Sequence, residues 1–228
     1  MKTISKGIIT TVAGAFALLG PAMVTQADEG LPKTVMITPG RLLLSEDFAR
    51  PVASILAGRA APRKGNWRVF SGQWDFADGA LRGRQLPEDG RSAFVVYSMP
   101  FTSGVIQFDL RLDGCRQVIF RIQDAIPEHI CSVRINSDGF SAQKDDHDHQ
   151  GPDQAVPFGQ VALPIAAGEW KQLLVEINGN TMTATMDGRT IRGSDSLLVA
   201  EKATVELVVT GQTASFRNLR VWEAASAR

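Results

Sequence analysis

The stretch from Gly168 to Gly188 has the pattern of an antiparallel β-hairpin and constrains the fold more than any other part of the chain. It reads GEWKQLLVEINGNTMTATMDG. Side chains alternate between the two faces of a strand, and the apolar face here consists of Leu173, Val175 and Ile177 on the first arm and Met182, Ala184 and Met186 on the second. A turn at Gly179-Asn180 pairs Ile177 with Met182. A turn at Asn178-Gly179 shifts the register by two residues and keeps the same faces together.

The rest of the chain continues this pattern, with short alternating segments separated by turn residues such as Asp78-Gly79. The predicted strands outside the hairpin are Leu42–Phe48, Trp67–Phe70, Gly72–Phe76, Ala80–Arg84, Ala93–Met99, Ser103–Asp113, Gln117–Gln123, Ile130–Asn136, Phe140–Gln143, Thr204–Thr210 and Ala214–Trp222. The only helical pattern is one turn within Val52–Gly58, and Asp145–Gln160 is predicted to be a long polar loop. We expect the first and last strands to lie side by side. Such a series predicts an all-β fold, a two-sheet antiparallel β-sandwich.

The first 27 residues have the pattern of a secretory signal peptide. Lys2 and Lys6 give a positive start, an uncharged apolar run extends from Gly7 to Leu19, and small residues in Thr25–Ala27 suit cleavage. An uncleaved anchor is the alternative, but the run is shorter than the ~20 residues of a membrane span. We predict a signal peptide over 1–27, a leader or tether over 28–40, a sandwich domain over 41–224 and a tail over 225–228. The mature protein is expected to be secreted or periplasmic and to have no membrane anchor.

Charge and cysteine content narrow the possible partners. Lys and Arg together number 24, as do Asp and Glu, and a balanced chain lacks the basic surface that nucleic-acid phosphates require. We therefore expect no nucleic-acid partner. The two cysteines, Cys115 and Cys131, lie on neighbouring strands of a predicted hairpin, but that hairpin places them several residues apart. Bridged Cα atoms must lie within about 7 Å of each other, so we predict two buried thiols and no disulfide.

Three stretches carry a resemblance to a known family. They are WRVFSGQWDFADGAL at 67–81, the hairpin at 168–188 and SFRNLRVW at 215–222. With the strands between them they resemble the keto-disaccharide hydrolase domain, which belongs to the concanavalin-like and laminin-G-like jelly rolls, over roughly residues 41–224. The resemblance implies curved sheets and a sugar ligand on the concave sheet or its rim loops. It places the family's cleft arginine at Arg121, whereas the segment Glu128–Asn136 has no inward acidic residue at the family's position.

The middle strands present a polar face that suits a sugar. Arginine and carboxylate groups make the paired hydrogen bonds that sugar hydroxyls accept and donate, and the outward residues here include Asp109, Arg111, Arg121 and Arg134. If these strands adjoin, the side chains form one patch. The alternative is an ordinary solvated face with cross-strand ion pairs. Four tryptophans, Trp67, Trp74, Trp170 and Trp222, fall within strand patterns and are expected to lie mostly in the core, with Trp170 or Trp74 as the exception at a strand end.

The densest polar cluster follows the strand Phe140–Gln143. It contains Lys144, Asp145, Asp146, His147, Asp148 and His149. Carboxylates suit Ca²⁺, and imidazole with carboxylate suits Zn²⁺, so Asp146, His147 and Asp148 are candidate metal ligands, although no standard calcium loop is present. Alternatively the cluster is a solvated loop, or a rim at which Lys144, Asp145, Asp146 and His149 contact sugar hydroxyls directly.

These observations favour a secreted domain that binds a glycan on its concave polar face. The alternatives are hydrolysis of a modified disaccharide, as the family resemblance implies, and a cell-surface interaction module without a small ligand. A glycosidase requires two carboxyl groups about 5–9 Å apart. Asp109 and Asp113 lie about 13 Å apart along one strand, which is too far for that pair alone.

Overall fold

The computed structural model describes residues 30–58, 66–126, 128–146, 151–152 and 154–225. The described chain is almost entirely strand, with one helical turn, α1 (Ala53–Leu56). The strands are β1 (Pro39–Glu46), β2 (Trp67–Ser71), β3 (Gln73–Ala77), β4 (Ala80–Arg84), β5 (Ala93–Phe101), β6 (Gly104–Asp124), β7 (His129–Asn136), β8 (Gly139–Lys144), β9 (Val156–Ala162), β10 (Trp170–Asn178), β11 (Thr181–Met186), β12 (Arg189–Ser194) and β13 (Lys202–Ala224).

Two long strands, β6 and β13, form an antiparallel ribbon that runs through the whole domain. The ribbon bends sharply where the register is irregular, with Gly114 paired to Thr213 and Gly211 to Cys115, and the two glycines have φ angles of 89° and 93°. Positive φ angles are tolerated by glycine because it has no Cβ. The bend brings Phe108 and Phe120 of β6 into contact at 5.3 Å between ring centroids, although twelve residues of straight strand would separate them by about 40 Å.

The bend divides the strands into two facing antiparallel sheets. In the first sheet the order is β12, β11, β10, the first half of β6 and the second half of β13, which pairs on its other side with β1 and with β4, followed by β3. In the second sheet the order is β9, β8, β7, the second half of β6, the first half of β13, β5 and β2. Their inner faces enclose one hydrophobic core, as in sandwiches generally.

Several predictions from the sequence are confirmed. The hairpin turn lies at Gly179-Asn180, since Ile177 pairs with Met182 and Val175 with Ala184. The first and last strands are neighbours, because β1 pairs with the end of β13. The helical turn is α1. Trp67, Trp74 and Trp222 are buried.

Other predictions need correction. The segments 103–113 and 117–123 are one strand, β6, and 204–210 and 214–222 are one strand, β13, because their glycines bend a continuous ribbon and do not end it. The polar loop predicted after Asp145 is shorter than expected, since β9 begins at Val156. Strand β12 was not predicted.

The segment before β1 is fixed to the first sheet. The buried Glu176 carboxylate of β10 accepts backbone N–H bonds from Val35, Met36 and Ile37 at 2.8, 2.8 and 3.0 Å. The predicted signal peptide lies outside the described residues. Within the part that is described, no helix is long and apolar enough to cross a membrane.

Candidate functional site

A row of side chains crosses six strands on the outer face of the second sheet. In register order it consists of Gln143 on β8, Ser132 on β7, Arg121 on β6, Glu206 on β13, Val96 on β5 and Arg68 on β2. Neighbouring strands lie about 4.8 Å apart, so five steps give a row about 24 Å long. The row is long enough to contact several sugar units.

Strand alternation explains why these side chains face outwards. On β6, Val118, Phe120 and Ile122 belong to the core, so Arg121 must point away from it. On β13, Leu207 is in the core, which turns the adjacent Glu206 to the same outer face as Arg121.

The middle of the row forms the floor of an open cleft of about 890 Å³. This size suits a ligand of several rings, since ligand pockets commonly measure about 300–1,000 Å³. The residues that line it include Arg68, Phe70, Arg91, Phe94, Val96, Arg121, Gln123, His129, Thr204 and Glu206.

Arg121 lies between two buried carboxyl groups. Its Nη1 is 3.5 Å from Oε2 of Glu206, and its Nε is 4.0 Å from Oδ2 of Asp145. Both distances exceed the 2.7–2.9 Å or so that is typical of a strong charge-assisted bond. Arg121 Nε and Asp145 Oδ2 are buried without a hydrogen-bond partner among the described residues. The network is charged, and part of its hydrogen-bonding capacity is unused.

Glu206 is almost completely buried, with 1% of its surface exposed. Burial raises the pKa of its carboxyl from 4.5 to about 7, while the charge of Arg121 opposes this rise. Glu206 therefore changes charge near neutral pH. Perturbed carboxyl groups of this kind occur often at functional sites.

Asp145 is buried on the other side of Arg121. Its Oδ1 accepts hydrogen bonds from Ser132 Oγ at 3.0 Å and from Gln143 Nε2, and Arg134 Nη2 lies 3.8 Å away. Of the sequence-predicted residues, Arg121, Arg134 and Asp145 thus form one network. Asp145 supports Arg121 from behind and does not belong to a solvated rim.

Lys144 and Asp146 lie beside this network. Lys144 Nζ is 3.7 Å from Asp146 Oδ2, and both line a second cleft of about 360 Å³ that shares His129 with the first. His147, Asp148 and His149 lie outside the described residues. Among the residues described, no group of three or more His, Cys, Asp or Glu side chains is placed to hold a metal ion. The Ca²⁺ or Zn²⁺ site stays a prediction.

Asp109 and Arg111 do not share this face, and the predicted single patch is wrong in this respect. Both precede the bend at Gly114 and therefore lie on the outer face of the first sheet. Asp109 accepts from Arg217 Nε at 3.2 Å. The Arg111 guanidinium is 4.9 Å from the centroid of the half-buried Trp170 ring, which makes Trp170 the exception among the tryptophans.

The sequence analysis missed several residues of the cleft, among them Glu206, Arg68, Arg91, Phe70 and Phe94. Glu206 lies within the apolar segment TVELVVT. Because neighbouring side chains of a strand face opposite sides, an inward Leu207 would have predicted that Glu206 faces outwards. The positions of Arg68 and the two phenylalanines depend on β2 and β5 pairing with β13, which local sequence does not reveal.

The two cysteines do not contribute a nucleophile. Cys131 pairs with Ile122 in the core, and Cys115 lies beside Gly211, so both are free thiols in separate parts of the sandwich. Burial raises the pKa of both, to about 11 for Cys115, which suppresses the reactive thiolate.

Comparisons with known proteins support the fold. No protein-family model and no curated protein matches the chain. Among solved structures, the carbohydrate-binding module CBM66 from Bacillus subtilis has a TM-score of 0.57 and 18% identity over 71% of this chain and 97% of that one. LamA from Z. galactanivorans, solved with laminaritriose and laminaritetraose, has a TM-score of 0.59 and 13% identity over 82% of this chain and 100% of that one.

A third similar structure is SCLam, a non-specific endo-β-1,3(4)-glucanase from family GH16. Its TM-score is 0.57, with 10% identity over 83% of this chain and 95% of that one. At these identities the likeness concerns the fold alone. Together with the two sheets and the bent ribbon described above, it establishes that this chain is a concanavalin-like jelly-roll sandwich.

Proposed function

We propose that the chain binds a glycan in the cleft on the outer face of the second sheet. The observation that carries this proposal is the unused hydrogen-bonding capacity of Arg121, which lines the cleft. Its Nε lies 4.0 Å from Oδ2 of the buried Asp145, and neither atom has a hydrogen-bond partner among the described residues. Buried polar groups are nearly always hydrogen-bonded in proteins. A sugar hydroxyl both donates and accepts, so a sugar in the cleft can supply hydrogen bonds that the Arg121 guanidinium lacks.

The surroundings of these two atoms also suit a sugar. Gln123 and Thr204 offer further donors and acceptors along the cleft, and the Phe70 and Phe94 rings provide an apolar surface for the C–H face of a pyranose. The similar folds of CBM66 and of the laminari-oligosaccharide complex of LamA add support. Export by the predicted signal peptide would bring the domain to extracellular or periplasmic glycans.

A glycan array followed by titration calorimetry tests this proposal. Arg121→Ala is expected to abolish binding, but it leaves the buried Glu206 and Asp145 without a counter-charge and thus endangers folding. Gln123→Ala is the safer variant and is expected to weaken binding about tenfold, the effect of one lost hydrogen bond. Gln172→Ala on the first sheet is the matched control. Equal binding by the wild type and Gln123→Ala would contradict the proposed site.

Hydrolysis of a modified disaccharide is the second candidate, and one observation favours it. Glu206, whose pKa burial raises to about 7, and Asp124 both line the cleft, so a carboxylic acid and a second carboxyl group face one cleft. This pairing is what a glycosidase requires. Release of reducing sugar from a bound disaccharide, lost in Glu206→Gln while binding persists, would identify an enzyme. Binding without any release would leave a binding module.

A further inference from the structure

The end of the cleft opposite Asp145 is built from two stacked aromatic rings between two arginines. The rings of Phe70 on β2 and Phe94 on β5 are stacked at 5.0 Å between centroids, with 12° between their planes. The guanidinium of Arg68 lies 4.5 Å from the Phe70 centroid, and that of Arg91 lies 4.7 Å from the Phe94 centroid. Phe70 is 37% exposed, so the aromatic wall is open to a ligand.

The positive charge at this end of the cleft is not held in ion pairs within the part of the chain that the structure describes. Among the described residues neither Arg68 nor Arg91 forms an ion pair, and Arg68 Nε is buried without a hydrogen-bond partner. By contrast, Arg41 on the first sheet contacts Glu223 at 3.1 Å. An uncompensated charge in a cleft with low-dielectric walls attracts a counter-ion strongly.

Glu206, a carboxyl group in the floor of the cleft, reduces this positive charge only partly. In the row, only Val96 lies between Glu206 and Arg68. Their Cα atoms are therefore two strand spacings, or about 10 Å, apart. Because burial raises its pKa to about 7, Glu206 carries little negative charge at slightly acidic pH. An anionic ligand along the wall then meets the two arginines of the wall and, further along the floor, Arg121.

We infer that the ligand of this cleft is an acidic glycan whose sugar units carry carboxylates, with one carboxylate held by Arg68 and another by Arg91, on the two sides of the stacked Phe70 and Phe94 rings. This inference rests on the proposed function and specifies its ligand. A planar guanidinium matches a carboxylate with two parallel hydrogen bonds. The apolar floor at Val96 separates the carboxylate position at Arg68 from the hydroxyl-binding floor at Arg121, so successive sugar units occupy the two.

Matched pairs of glycans test the inference. Oligogalacturonates, alginate oligosaccharides and hyaluronan oligosaccharides are titrated at pH 6 beside the carboxyl-reduced form of each, with laminaritetraose as a further neutral probe. We expect at least one acid form to bind tenfold or more tightly than its reduced form. Arg68→Gln and Arg91→Gln are each expected to lower the ratio of acid-form affinity to reduced-form affinity at least threefold. Arg91 is exposed, so its variant should fold even if Arg68→Gln does not.

The outcomes separate this inference from the proposed function. Equal binding of acidic and reduced forms overturns the inference and leaves glycan binding intact. Binding of no probe overturns both. Arg41→Gln, an exposed arginine of the first sheet, is the control for net charge. A loss of acid preference in that variant as large as in Arg91→Gln would mean that overall charge and not the aromatic wall is responsible, and would also overturn the inference.

Discussion

Replacing Glu206 by glutamine is expected to stabilise the protein in a pH-dependent way. The carboxyl is 1% exposed, and burial raises its pKa from 4.5 to about 7 against the opposing charge of Arg121. Below pH 4.5 the group is neutral in both the folded and the unfolded chain. Between pH 4.5 and 7 it ionises only in the unfolded chain, so the folded state loses relative stability as the pH rises.

The size of this loss follows from the pKa change, since one pKa unit corresponds to about 1.4 kcal/mol. The wild type should lose about 3 kcal/mol through Glu206 by pH 8.5, whereas Glu206→Gln has no such loss. A domain of this size changes its melting temperature by about 2–4 °C per kcal/mol. The difference in melting temperature between Glu206→Gln and the wild type should therefore increase by roughly 6–12 °C from pH 4 to pH 8.5.

Urea unfolding of both proteins across pH 4–8.5 measures this difference directly. Glutamine and a protonated carboxyl can differ in stability by an amount that does not depend on pH. This amount cancels, because the test uses only how the difference in unfolding free energy between the two proteins changes with pH. Glu223→Gln, at an exposed pair, should give parallel curves. If the curves of the wild type and Glu206→Gln are also parallel, the carboxyl does not titrate near neutrality, and its assignment as a partly protonated acid is refuted.

Two further predictions concern the fold. Glu176→Ala removes the acceptor of three backbone N–H bonds. It should lower the free energy of unfolding by about 2 kcal/mol and speed amide hydrogen exchange at residues 35–37. Glu223→Ala is the exposed control, and unchanged exchange in Glu176→Ala would refute the role of Glu176. Gly211→Ala should cost roughly 2 kcal/mol or more in urea unfolding, since a Cβ there lies 3.1 Å from Arg116 N at φ 93°. Gly79 has a φ of 69° and open space around it, so Gly79→Ala should lower the free energy of unfolding by only about 1 kcal/mol. Equal losses in Gly211→Ala and Gly79→Ala would show that the bend tolerates a side chain.

The sequence predicted those features that depend on neighbouring residues. The hairpin of β10 and β11 is specified by its own alternation and turn, and its register is one of the two that the sequence allowed. The bend of the β6–β13 ribbon was not predicted, because Gly114 and Gly211 look like turn residues when each is read alone. Only the pairing of the two long strands brings both glycines to one corner.

The candidate site was predicted only in part for the same reason. Arg121 and Arg134 could be expected to adjoin, since β6 and β7 are consecutive strands. Glu206 and Arg68 join them through β13 and β5, which follow at long sequence separations. Asp109 was grouped with Arg121 because one alternating pattern continues across Gly114, and the bend moves it to the opposite sheet.

The two outer faces of the sandwich show why charge alone does not identify a binding surface. On the first sheet most charged groups are close to their partners: Arg82 Nε lies 2.7 Å from Asp75, and the Asp109 carboxylate accepts from three side chains. These contacts resemble an ordinary cross-strand ladder.

On the second sheet the pairs of Arg121 and Arg134 with carboxylates measure 3.5–4.0 Å, and buried atoms of the network have no partner among the described residues. Buried charges held at such distances recover less of their desolvation cost than well-paired ones. A ligand that completes their hydrogen bonds recovers more of it, whereas a ligand on the first sheet must first break good pairs. The proposed glycan site therefore lies on the face whose charged pairs are longer and gain more from a ligand that completes them.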